Sequence, residues 1–292
     1  MEIQWFAGHM ARTRRIIKAK LKLIDVVLEL VDARIPLSSR SPLIADILRG
    51  KPTLLILNKA DLADRALTGL WVKWFRSQGV TAIPFDSVRG QGKEKIFKEV
   101  FRLAFGKDPG QKAGGSESSL KRFPASSLRP PTVIVVGIPN VGKSMFINRL
   151  AGRRAARTGQ LPGLTRGEQW IKIEGKMELL DTPGVLWPKL EDREAAIKLA
   201  ATGAIKEDLF DVRQVTDWVL NWLLENKRKE LLRHYGLTEN PPEDEFLLEA
   251  IGRKRGFLVS GGAADLHKTS VHILSEFRAG KLGRYTLESP PG

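Results

Sequence analysis

The chain contains no cysteine, which excludes disulfides, thiolate nucleophiles and any zinc or iron–sulfur site built on thiolates. Long apolar runs are missing as well. None approaches the roughly 18 residues that a membrane-spanning helix requires, and the opening MEIQWFAGHMARTRR has no apolar stretch of signal-peptide length. The expectation is a cytoplasmic protein without membrane insertion, taken to be monomeric. Acidic residues are few beside basic ones: 33 Asp plus Glu face 48 Lys plus Arg over 292 residues, a formal charge of +15. A surplus of that size points to an acidic partner. At 42% hydrophobic residues, the composition supports an ordinary core and lacks the signature of a disordered chain.

The charge is unevenly spread. Residues 149–166 hold five arginines and no acidic residue, whereas 167–249 are net acidic. Further basic clusters lie at 12–22, including Arg12, Arg14 and Arg15, and at Arg253, Lys254 and Arg255. With Arg153 and Arg154 these are the candidate RNA contacts, because phosphate neutralisation draws on Lys and Arg. Six of the seven tryptophans, at 71, 74, 170, 187, 218 and 222, are expected to pack rather than to stack on bases.

Short runs rich in β-branched residues, DVVLELVDA, TLLILNK, VTAIPFD, TVIVVG, QWIKI and KMELLDT, read as strands. Amphipathic stretches at 12–23, 41–49, 64–77, 91–105 and 143–151 read as helices. Such alternation predicts an α/β fold with a mostly parallel sheet covered on both faces. Residues 106–131, rich in Gly, Ser and Pro, read as a flexible linker. From about Asp208 onward strands give way to helical patterns, so two domains are expected: 1–205, and a smaller all-α domain over 206–292.

The sequence TVIVVGIPNVGKSMFINRL places Gly137, Gly142, Lys143 and Ser144 in GxxxxGK[ST], after a strand and opening a helix. That is the context in which backbone N–H groups close around phosphates. Asn140, Val141, Gly142 and Met145 would lend the loop to phosphate oxygens. Lys143 would neutralise β/γ charge, and the Ser144 hydroxyl would ligate Mg²⁺. In LLILNKADL, Asn58, Lys59, Ala60 and Asp61 follow a second strand. A carboxylate at Asp61 accepts from N1–H and the exocyclic amine of guanine, whereas adenine would leave it unpaired, so GTP or GDP is favoured over ATP. Asp86 and Ser87, after a third strand, suit a loop packed against the base. LLDTPG offers Asp181 for water-mediated Mg²⁺ contact and the Gly184 N–H as a γ-phosphate sensor, and Thr165 in LPGLTRG completes the metal shell. Position 185 is Val, so the glutamine that orients water in many GTPases is missing there.

The motif order is rearranged. NKAD and DSV precede the phosphate loop, whereas GTPases ordinarily place them after it, so the chain reads as a circularly permuted P-loop GTPase. With WFAGHM, Asp32-Ala33-Arg34, GIPNVGKS, PGLTRG and DTPGVLWPK, it resembles the YlqF/RbgA family, the ribosome biogenesis GTPases A, over most of residues 1–205. The resemblance implies GTP hydrolysis coupled to maturation of the large (50S) ribosomal subunit, with binding to the precursor and its rRNA in the GTP state and release on hydrolysis. It implies that His9 positions the attacking water, and that Asn140 coordinates K⁺ beside the phosphates in place of an arginine finger. Two departures from the family are Ala7, where similar sequences carry Pro, and Met145, where Ser or Thr is common.

Overall fold

The computed structural model describes residues 20–48, 50–106, 129–153, 155, 169–181, 192–237 and 247–292. His9, Arg12, Arg14, Arg15, Arg154, Thr165, Gly184 and Val185 lie outside these residues, as do 107–128 of the expected linker.

Six strands form one sheet: β1 (Val26–Asp32), β2 (Thr53–Asn58), β3 (Thr81–Phe85), β4 (Thr132–Gly137), β5 (Gln169–Ile173) and β6 (Met177–Asp181). Their order is β3-β2-β1-β4-β6-β5, and only the β5/β6 pair is antiparallel. Most of the runs marked as strands are apolar enough to be covered on both faces, whereas β5 alternates, with Ile171 and Ile173 buried and Trp170 and Lys172 exposed. β1 is buried at all seven positions, as a parallel strand covered on either side must be.

Helices α1 (Pro42–Leu48) and α2 (Arg65–Ser77) cover one face. Ile44, Ile47 and Leu48 pack with Val27, Ile134 and Val136, and Trp71 and Phe75 pack with Val31, Leu55 and Leu57. In the register Val27 lies beside Ile134 and Val31 beside Leu57, so both clusters share that face. α3 (Lys93–Phe105) and α4 (Lys143–Ala151) belong to the other, where Phe85 meets Phe146 edge-on at 5.0 Å. The ends of the expected linker are fixed. Gly106 closes α3 in the left-handed region, its N–H donating to the Arg102 carbonyl. Arg129 forms a paired contact with Asp25 at 2.7 and 2.9 Å.

By contacts the described residues divide into two units, 20–181 with 286–292, and 192–285. The second unit is helical: α5 (Arg193–Ala201), α6 (Val212–Tyr235), α7 (Leu247–Lys254) and α8 (Leu266–Arg278). Asp192, Asp211 and Asp265 cap α5, α6 and α8 by accepting from first-turn N–H groups, which satisfies donors with no intrahelical partner. Inside this unit Glu276 gathers Tyr235 (3.0 Å), His234 (3.1 Å) and Arg255 (3.7 Å). Burial, then the Glu276 charge, pushes the Tyr235 hydroxyl far above its ordinary range.

Candidate functional site

All parallel strands deliver their C-terminal ends to one edge of the sheet, where open α/β folds bind ligands. β4 ends at Gly137 and runs through 138–142 into α4. A Cβ at Gly137 would lie 2.6 Å from the Leu30 carbonyl oxygen, and one at Gly142 would lie 2.5 Å from the Asn58 amide nitrogen. Gly142 also has φ +97°, so glycine there is required by both space and backbone. The Lys143 ammonium reaches back to the Gly137 and Ile138 carbonyls at 3.2 and 3.0 Å. Ser144 is partly exposed beside it in the first turn of α4. Asn140 adopts φ +55°. Met145 is half-exposed, so the departure from Ser or Thr introduces no core conflict.

Asn58 is fully buried and its side chain joins three loops. Its Nδ2 donates to the Val141 carbonyl at 2.8 Å, and its Oδ1 accepts from the Ser87 hydroxyl at 2.6 Å. The sequence marks Asn58 for the nucleotide; with these two bonds its side chain also holds the base-side loops against the phosphate loop. The Ala60 N–H donates to the Phe85 carbonyl at 3.2 Å, and Leu62 N–H turns back onto Lys59 at 2.9 Å. The NKAD turn is thereby fixed beside Asp86, whose Oδ1 accepts from the Val88 and Arg89 N–H groups at 2.8 and 2.9 Å. Asp61 is partly exposed at this edge, and its charge acts on the Lys59 ammonium.

Two contacts at this edge escaped the sequence reading. Arg149, on α4, donates through Nε to the Ser87 carbonyl at 3.0 Å and through its guanidinium to that of Val88. It was counted with the basic segment, and its acceptors, backbone carbonyls 61 and 62 residues away in sequence, leave no mark in the sequence. The second is a buried ionic cluster. Arg34 grips Asp32 at 3.0 and 2.8 Å, and Lys59 reaches Asp32 at 3.0 Å. Burial alone would raise the Asp32 carboxyl, but the two cations outweigh it and hold the group well below the usual carboxylate range. Burial pulls the Lys59 ammonium down, with Asp32 opposing.

Asp181 ends β6, its backbone in register with Val135 of the strand that enters the phosphate loop. Among the described residues no group of three or more His, Asp or Glu is arranged to hold a metal ion. Mg²⁺ bound by one or two protein oxygens plus phosphates needs no such cage. Ser144, beside the glycine cradle, and Asp181, at the end of the adjacent strand, are the residues that the sequence marks for such an ion. Of the candidate RNA contacts, Arg153 is exposed. Arg253 pairs with Glu249 at 2.7 Å, and Arg255 lies over the Tyr235 ring at 5.1 Å.

Comparison with known proteins agrees with this geometry. A family model described as 50S ribosome-binding GTPase matches residues 132–242. Ribosome biogenesis GTPase A of Bacillus cereus is 45% identical over 292 residues, covering 99% of this chain and 95% of that protein. Mitochondrial ribosome-associated GTPase 1 of Xenopus tropicalis is 34% identical, covering 97% and 94%. The crystal structure of GNP-bound YlqF from T. maritima superposes with a TM-score of 0.65 at 28% identity, covering 96% of this chain and 98% of that one. Phosphate loop, guanine-side motifs, permuted order and near full-length likeness converge on one assignment: the chain belongs to the ribosome biogenesis GTPase A (YlqF) family of circularly permuted GTPases.

Proposed function

We propose that this protein is a GTP-hydrolysing assembly factor for late maturation of the large ribosomal subunit, which binds the precursor and its rRNA with GTP and leaves after hydrolysis. Membership in the family makes it a GTP-binding protein and a GTPase. The observation that carries the reading is the Asn58 brace, which ties the phosphate loop, NKAD and the Asp86–Ser87 loop into one site suited to a guanine nucleotide. The names of its relatives, ribosome biogenesis GTPase A and mitochondrial ribosome-associated GTPase 1, supply the ribosomal partner, and the formal charge of +15 fits an RNA surface.

In this reading the backbone of 140–145 and Lys143 bind the phosphates, Asp61 selects guanine, and Asp86 and Ser87 support the base. Ser144, Thr165 and Asp181 hold Mg²⁺, which when bound neutralises charge developing on the β/γ oxygens. The Gly184 N–H reports the γ-phosphate. Val185 cannot bond to water, so His9 is assigned its positioning, and hydrolysis is slow until the subunit is engaged. Asn140 is assigned a K⁺ ion. Hydrolysis measured in matched KCl and NaCl tests that role: faster turnover in K⁺ supports it, and equal rates remove it. Arg12, Arg14, Arg15, Arg153, Arg154, Arg253, Lys254 and Arg255 are the proposed RNA contacts, acting in the cytoplasm as a monomer.

Turnover with and without purified subunits tests the whole reading. Strong stimulation by large subunits, and none by small ones, is expected. Absence of any stimulation would favour an RNA-binding scaffold that holds GTP as a structural group.

A further inference from the structure

Residues 286–292 follow the helical unit in sequence yet pack with the GTPase sheet. Their attachment is dense. The Leu287 N–H donates to the Arg34 carbonyl at 2.8 Å, directly on the residue that grips Asp32. The Glu288 carboxylate accepts from the Leu37 and Ser38 N–H groups at 2.8 and 3.2 Å, and from the Ser38 hydroxyl. Its carbonyl accepts from the indole N–H of Trp71 at 3.1 Å, on the buried side of α2. The Thr286 hydroxyl accepts from the Asp64 N–H at 3.2 Å, and Asp64 is the residue that caps α2 through the Leu67 N–H. Thr286 and Leu287 are both buried.

These contacts bracket the guanine-selecting turn. On one side lies Arg34–Asp32–Lys59, on the other Asp64, three residues beyond Asp61. Asn58 ends β2 and residues 59–61 form a turn, so the position of that turn depends in part on what holds its two ends. We propose that Thr286–Glu288 is a positioning segment for the guanine-binding turn, setting how long a guanine nucleotide stays bound. The proposal rests on the guanine reading of Asn58–Asp61. Tyr285, the preceding residue, packs its ring against Trp222 and Phe277 in the helical unit.

The test uses the full chain, a chain ending at Tyr285, and full-length Glu288→Ala and Glu288→Gln. Release of a fluorescent GDP analogue and affinities for GDP and ADP are measured below the melting temperature of each variant. Loss of several hydrogen bonds should speed GDP release about tenfold in the shortened chain and roughly threefold in Glu288→Ala, with Glu288→Gln between Ala and the parent. Because only the base side is loosened, the preference for GDP over ADP should narrow, which an overall loss of folded protein would not produce. The peptide TLESPPG added in trans should slow release again. GDP release and GDP/ADP preference within twofold of the parent would overturn the proposal; if the shortened chain does not fold, Glu288→Ala decides alone. A parent chain that binds ADP as well as GDP would instead remove the guanine reading beneath it.

Discussion

Two buried carboxylates on β1, three residues apart, have opposite consequences. Asp32 has two cations within 3.0 Å and sits below the ordinary value of 3.8. Its contribution is therefore complete at neutral pH and is lost as pH falls below that value toward the folded one. Asp32→Asn strands Arg34 and should cost about 3 kcal/mol at pH 7, read by denaturant unfolding. Among the described residues Glu29 pairs with Arg40, at 3.2 Å, and burial outweighs that partner to raise its carboxyl. The folded state then holds the proton more tightly, and stability falls as pH rises from 4.5, the ordinary value, through the folded one. Glu29→Gln should accordingly raise the melting midpoint at pH 7, where Asp32→Asn lowers it. In the proposed guanine site Asp61 is the specificity residue, so Asp61→Asn should weaken GTP binding by on the order of a hundredfold or more. It should also favour xanthine nucleotides, because the new amide can donate to the carbonyl that xanthine carries at C2. Competition binding with the two nucleotides measures that switch.

At the scale of elements, the phosphate loop and the base-side loops are separate in sequence and joined by Asn58, Ser87 and Arg149. Ser87→Ala leaves the buried Asn58 carbonyl oxygen without its donor and should cost about 1–3 kcal/mol, seen both as a lower melting midpoint and as faster GDP release. Gly142→Ala puts a methyl group 2.5 Å from the Asn58 amide and should abolish nucleotide binding while the six strands persist by circular dichroism. The strands themselves were legible in sequence, since TVIVVG and TLLILN have no polar face to present to water. The phosphate loop was legible because its chemistry needs glycine and lysine at fixed spacing. The brace was not, because an Asn after a strand carries no record of which carbonyl it will meet 83 residues later. The sequence places 286–292 with the helical domain for a similar reason. TLESPPG has no periodicity, and its partners lie 217 to 253 residues away.

For the whole molecule, the basic surplus of +15 supports an RNA partner. Not every cation is turned to a partner: Arg149 and Arg278 donate to backbone carbonyls. Neutralising about three phosphates would make rRNA affinity fall roughly 20- to 40-fold between 50 and 200 mM salt, and a filter-binding titration in salt reads that slope. The central claim is that nucleotide state controls attachment to the large subunit, and co-sedimentation tests it directly. The chain is spun with purified large or small subunits in GDP or in a non-hydrolysable GTP analogue. It should pellet with large subunits in the analogue and stay in the supernatant with GDP; equal pelleting in both nucleotides, or preference for the small subunit, would contradict the account.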